Sequence, residues 1–266
     1  MDERAGYPPG VPCWVETGQP DPRAAADFYG ELFGWDVETR APAGASEDYR
    51  VARLDGRDVA AIAGTPPDSD RADWSTYVRV DDVDRTVARV TDAAGAVAVP
   101  PRDVGDAGRM AVLTDPTGAA LRLWEPRNHS GAQVVNAPGS WNWSNLSTPD
   151  PQAAIAFYGT VFGWQARSVD FGAGETWMWC RPGYAEFLEG RDPGLRKRHA
   201  DAGAPEGFSD AIGWLLPVGA GTDSHWGVTF SAADTDDVAK RAAELGGAVV
   251  VPPYTAGPTR VAVVRD

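Results

Sequence analysis

Cysteine is nearly missing from this chain of 266 residues: Cys13 and Cys180 are the only two, and neither lies in a Cys-x-x-Cys pair. That excludes a disulfide framework, and each thiol reads as a small buried hydrophobe rather than a reactive group. Lysine is equally scarce, two against 22 arginines, which with abundant Ala and Gly fits a GC-rich bacterial gene. The net charge of −14 repels a phosphate backbone or an anionic bilayer, and the only basic run, Arg196-Lys197-Arg198, is too short to guide a nucleic-acid strand. No apolar run approaches the roughly 20 residues of a spanning helix. The opening Met1-Asp2-Glu3-Arg4 lacks the basic start and apolar stretch of a signal peptide. A cytoplasmic protein without nucleic-acid or membrane partners is expected. There is no Gly-x-Ser-x-Gly nucleophile elbow, no Gly-x-Gly-x-x-Gly opening a helix and no Walker lysine.

What is present is an internal repeat. Trp14, Asp21-Pro22, Phe28-Tyr29-Gly30 and Phe33-Gly34-Trp35 recur at identical spacing as Trp143, Asp150-Pro151, Phe157-Tyr158-Gly159 and Phe162-Gly163-Trp164. Further on, Asp81-Asp82-Val83 leads to Gly95-Ala96-Val97-Ala98-Val99-Pro100-Pro101, and Asp236-Asp237-Val238 leads to Gly247-Ala248-Val249-Val250-Val251-Pro252-Pro253. The chain is a tandem duplication. Expected domains are 10–126 and 140–266, joined by a polar, Gly/Pro-bearing linker over 127–139 that reads as a flexible joint. Asp266 aligns with Asp115, so the second copy is expected to lack its final strand.

Within each copy the elements are legible. Asp21 is a good N-cap with Pro22 at the first helical position, Ala25, Phe28, Tyr29 and Leu32 follow at helical spacing, and Gly34 suits a left-handed C-cap; Asp150 to Gly163 repeats the pattern. A second helix carries Val83, Val87 and Val90, with Val238, Ala242 and Leu245 as counterparts. Alternating runs at 14–17, 49–54, 59–63, 76–80, 110–114 and 120–124 predict strands, the last two joined by the turn Asp115-Pro116-Thr117-Gly118. The order strand, helix, three strands, then the same again, predicts sheets with one face under helices and one face free.

The Phe-Tyr-Gly…Phe-Gly-Trp element, the Asp-Asp-Val helix start and the Asp-Pro-Thr-Gly turn resemble the vicinal oxygen chelate superfamily, which includes glyoxalase I, bleomycin-resistance proteins and extradiol dioxygenases. Gly203 to Phe208 and His225 to Phe230 resemble tandem glyoxalase-like proteins of actinobacteria. The resemblance implies an α+β fold of tandem domains, each two βαβββ units forming an open, cup-shaped sheet with helices on the convex side. It also implies a divalent ion held by inward-facing His and Glu. At those positions stand Trp14 and Trp143, Ser75 and Gly227, and Arg122. An indole N–H cannot ligate a metal and a guanidinium repels one, so no metal and no cofactor is expected in the first copy; in the second, His225 and Glu186 form at best a poor ligand pair.

Strand alternation then assigns the free face. In the first copy it gives Trp14 and Glu16, Ser75, Tyr77 and Arg79, and Arg122 and Trp124. In the second it gives Trp143, Asn145, Trp177, Trp179, His225 and Thr229. Large aromatics with a few charges suit a flat, partly polar organic molecule, although Arg79 and Arg122 against Glu16 could instead fill the cup as an internal ion-pair network. Trp35 and Trp164, after the helix caps, read as core. The expected function is metal-independent sequestration of a small aromatic molecule, as in the bleomycin-resistance members, by a monomer or homodimer. The alternative is an enzyme, whether a metal-free lyase, isomerase or cyclase with Glu16, Glu186 or His225 as general base, or a metal-dependent glyoxalase, dioxygenase or hydroxylase.

Overall fold

The computed structural model describes residues 6–40, 48–65, 72–170 and 175–266. The Met1–Arg4 reading lies outside them. In chain order the elements are β1 (Pro12–Gln19), α1 (Pro22–Phe33), β2 (Asp36–Thr39), β3 (Arg50–Leu54), β4 (Arg57–Gly64), β5 (Asp73–Arg79), α2 (Val83–Asp92), β6 (Ala96–Val104), β7 (Gly108–Thr114) and β8 (Ala120–Pro126). The second copy follows with β9 (Trp141–Thr148), α3 (Pro151–Phe162), β10 (Gln165–Asp170), β11 (Glu175–Cys180), α4 (Tyr184–Glu189), α5 (Leu195–Asp201), a 3-10 turn (Phe208–Asp210), β12 (Ala211–Pro217), β13 (His225–Phe230), α6 (Thr235–Glu244), β14 (Ala248–Ala256) and β15 (Thr259–Arg265).

The helix signals act as their chemistry dictates. The Asp21 carboxylate accepts from the Arg23 and Ala24 amides, and Gly34 takes φ 73° at the C-cap. Asp150 accepts from the Ala153 amide, and Gly163 repeats the left-handed cap at φ 72°. β6 contains Pro100 and Pro101, which cannot donate to a ladder. The register with β7 slips between Val99 and Arg102, so the prolines sit in a bulge at a sheet edge.

The chain groups into two compact units, and each draws on both copies. Unit 1 comprises residues 1–14, 75–131 and 143–227; unit 2 comprises 15–74, 132–142 and 228–266. In unit 1 the strand orders are β5-β8-β7-β6 and β10-β11-β12-β9. α2 packs on α3, and one core joins Val78, Val90, Leu113, Leu121 and Leu123 of the first copy to Leu146, Tyr158, Trp164, Trp179 and Leu215 of the second. In unit 2 the orders are β2-β3-β4-β1 and β14-β15, and α1 packs on α6.

The repeated motif residues make these cross-copy joints, the same way twice. In unit 1, Tyr158 Oη donates to Asp115 Oδ2 at 2.8 Å and accepts from Trp226 Nε1 at 2.8 Å. In unit 2, Tyr29 Oη donates to Asp266 Oδ2 at 3.0 Å and accepts from Trp74 Nε1 at 3.1 Å. The indole of Trp164 donates to Gly10 O, and that of Trp35 to Gly139 O, both at 2.6 Å. A Cβ on Gly95 would meet Phe157 at 2.6 Å, and one on Gly247 would meet Phe28 at 3.0 Å, so both positions stay bare.

The 127–139 segment is not the free joint its composition predicts. Asp58 and Gln133 exchange two hydrogen bonds at 2.7 and 2.8 Å, Ala132 and Val134 are buried, and Gly131 lies so close to Cys13 O that a Cβ would stand 2.4 Å from it. Backbone pairing and burial tie down a stretch that polarity alone reads as solvated.

Candidate functional site

In unit 1 the first copy's free face is occupied by its own side chains. Arg122 Nη1 donates to Tyr77 Oη at 2.7 Å with its guanidinium 5.2 Å over the same ring. Trp124 stands edge-on to Tyr77 at 6.1 Å and donates its indole N–H to His129 O at 2.8 Å. The His129 ring sits 4.5 Å from Trp14 and 5.8 Å from Trp124. Trp14, Tyr77 and Trp124 are buried, and Arg79 pairs with Asp81 at 2.6 Å. Ser75 lies half-buried on the same strand face. His129, which follows the last strand and carries no periodic signal, is the member that sequence reasoning missed.

The second copy presents a different surface. Strand register sets Met178 beside Trp214 and Trp214 beside Asn145, which fixes one face of β11, β12 and β9. On that face Trp143 lies 6.0 Å from Trp214 and 5.9 Å from Phe208, both near-perpendicular, over Val169, Met178 and Cys180. Trp143, Phe208 and Trp214 are each half-buried. Phe208 comes from the 27-residue stretch 184–210, which carries α4, α5 and the 3-10 turn. The corresponding place in the first copy holds the hairpin at Asp55-Gly56. His199 braces this insert, with Nδ1 2.9 Å from Ser209 Oγ and its ring 5.1 Å from Phe208.

Several assigned residues stand elsewhere. Trp179 is fully buried under α3, 5.6 Å from Tyr158 and from Trp164, and Trp177 packs on the same core. The alternation in β11 was real but one residue out of phase, because the heaviest aromatics face the helix and Met178 faces away. Glu186 lies not on a strand but exposed on α4, where an ion pair with Arg196 at 2.5 Å holds its carboxyl below the usual range. His225 is exposed at the start of β13, with Nδ1 2.9 Å from Asp223 O. In unit 2, Glu16 is 5% exposed on β1, in register with Ala61, and Thr229 is half-buried on β13.

The donor set does not fit a divalent ion. Among the described residues no three His, Cys, Asp or Glu gather. At the positions where the resemblance implies ligands, Trp14 buries an indole N–H with no acceptor among the described residues and Arg122 is engaged by Tyr77. Burial raises the Cys180 thiol to about 11 and the Cys13 thiol higher, so neither is a thiolate donor near neutral pH. A depression of about 530 Å³ in unit 2, between α6 and β14, is lined by Asp236, Lys240 and Glu244 among small apolar residues, and none of the assigned residues reaches it.

A βαβββ motif written twice in each copy, the last repeat one strand short, with helices packed on its sheets, defines a class. The chain belongs to the Glyoxalase/Bleomycin resistance protein/Dioxygenase superfamily, whose model matches residues 14–123 and again 140–266. It is 37% identical over 256 residues to "Putative glyoxylase CFP32" of Mycobacterium tuberculosis, covering 95% of this chain and 89% of that one. It is 35% identical over 269 residues to "Anthracycline biosynthesis protein DnrV" of Streptomyces peucetius, covering 91% of this chain and 84% of the relative. Among solved structures, the Mn(II)-bound glyoxalase from Novosphingobium aromaticivorans aligns with a TM-score of 0.60 at 17% identity, over 96% of this chain and 78% of that one. The 2,2',3-trihydroxybiphenyl 1,2-dioxygenase of Sphingomonas wittichii gives 0.55 at 14%, over 96% and 89%. These likenesses establish the fold: α+β, with open curved sheets in a tandem arrangement. No helix among the described residues is long and apolar enough to cross a membrane.

Proposed function

We propose that this protein binds a small, largely aromatic organic molecule without a metal ion, on the free face of the second copy's sheet. The observation that carries the reading is the half-buried cluster of Trp143, Phe208 and Trp214 on that face. Buried aromatics serve packing and exposed ones are costly, but aromatics left half-covered on a concave sheet are surface that a flat ligand completes. Each ring contact adds about 0.5–1.5 kcal/mol beyond area burial, so two or three suffice for useful affinity. The relative named for anthracycline biosynthesis supports a ligand of fused-ring character. The first copy, its free face engaged by Arg122, Tyr77, Trp124 and His129, serves as the structural partner, and the setting we assign is the cytoplasm. Titration of tryptophan fluorescence with a panel of aromatic natural products should give saturable quenching that Trp214→Ala removes; no binding across the panel would sink the reading.

A second reading, a metal-free enzyme, is favoured by one observation: Glu16 keeps a carboxylate 5% exposed on a strand of unit 2. A general base in that setting predicts that Glu16→Gln abolishes turnover of a bound ligand while its binding survives.

A further inference from the structure

The aromatic face has a charged margin. Register places Arg167 of β10 beside Met178, which lies beside Trp214, so the three share one face across three adjacent strands. Several arginines of this acid-rich chain, Arg53, Arg109, Arg127, Arg196, Arg198, Arg241 and Arg260, each hold a carboxylate. Arg167 holds none among the described residues, although it is exposed and 38 acidic side chains are available. It is nevertheless held in place. A Cβ on Gly207 would stand 2.9 Å from its Nη1, 3.0 Å from its Cζ and 3.1 Å from its Cδ, so the side chain runs flat along the backbone that delivers Phe208. Gly207 also takes φ 81°, where a side chain would be strained. The insert thus presents an aromatic ring and backs a guanidinium with consecutive residues.

Resting on the aromatic-ligand reading above, we propose that Arg167 is a specificity-determining anion anchor: the ligand is a planar aromatic acid, carrying a carboxylate or an acidic ring hydroxyl. Its rings lie against Trp143, Trp214 and Phe208, and its anionic oxygen meets the guanidinium fork. β10 and β12 are two strand spacings apart, about 10 Å, a span suited to fused rings with an acid group at one end. A cation at the margin selects such a ligand over its neutral analogue inside an otherwise repelling, negative molecule.

The test compares anthraquinone-2-carboxylate with neutral 2-(hydroxymethyl)anthraquinone by tryptophan quenching near neutral pH and low salt. The wild-type protein should prefer the acid by about five- to tenfold, the range for a charge-assisted but solvent-screened contact. Arg167→Gln should erase the preference by weakening the acid about five- to tenfold more than the neutral probe, while Arg167→Lys keeps part of it. If Arg167→Gln retains the preference, or if the wild type shows none, the anchor is refuted while the aromatic face stands. If neither probe binds, both the anchor and the aromatic reading fall.

Discussion

At the scale of single residues, the tyrosine of each Phe-Tyr-Gly motif joins two copies through one hydroxyl. Tyr158 donates a hydrogen bond to Asp115, a residue 3% exposed whose carboxylate also accepts from the Thr117 and Ala119 amides, and accepts one from the Trp226 indole. Tyr158→Phe keeps the ring but removes the partner of Asp115 Oδ2 and of the buried Trp226 N–H, so a loss of about 1–3 kcal/mol is expected in denaturant unfolding. Tyr29→Phe should cost less, since the Asp266 carboxylate is more exposed and keeps Gln19 at 2.8 Å. The thiols make a second residue-scale prediction. Burial keeps Cys180 and Cys13 protonated, so native protein at mildly alkaline pH should resist an aromatic disulfide reagent and release two equivalents of colour only in denaturant. That result was legible from composition. The partners of Arg122 were not, because Tyr77 and His129 meet it or its neighbours through tertiary contact that no local spacing encodes.

At the scale of elements, the insert is the feature that separates the two copies. Its turn between α4 and α5 is held by the Glu189 carboxylate, which accepts from the Gly194 amide at 2.6 Å and the Arg196 amide at 3.1 Å, and by the Glu186–Arg196 pair. These bonds hold both carboxyls below their ordinary 4.5. A lowered folded-state pKa contributes stability that is complete above 4.5 and fades as pH falls through the lowered value. Hydrogen exchange, corrected for its intrinsic pH dependence, should show the 194–198 amides protected near neutrality and loosening below about 4.5 while the sheet core holds. Gly213 in β12 makes a sharper prediction: a Cβ there would lie 2.4 Å from Ser144 O, so Gly213→Ala forces β9 and β12 apart. About 1–3 kcal/mol of destabilisation, read by thermal melting, and loss of aromatic binding should come together. The long helices and paired strands were readable because caps and periodicity are local. α4 and α5 were not: six and seven residues long, they start at glycines without side-chain caps. The face of β11 was misread because Trp177 and Trp179 satisfy period two equally well on either side, and only the core under α3 decides which.

At the scale of the molecule, each compact unit is assembled from segments of both copies. Unit 1 takes the second half of one copy and the first half of the other, and its core needs both. Residues 10–126 produced alone would expose Val78, Val90 and Leu121 and leave Asp115 without Tyr158, so they should fail to give a cooperative melt unless residues 140–266 are supplied in trans. The repeat itself, and the superfamily with it, could be read directly from the sequence; that the motif tyrosines pair across copies could not, since the repeat specifies what is written twice and not which copy each part joins. The two copies' free faces differ: one is engaged by its own Arg122–Tyr77–Trp124 cluster, while the other leaves three aromatics half-covered. The most direct test of a metal-independent aromatic site is to strip the protein with chelator, verify its metal content by elemental analysis, and titrate it with an anthracycline before and after adding Mn(II). Saturable quenching of equal affinity in both samples is predicted; binding that appears only once the metal is restored would contradict the account.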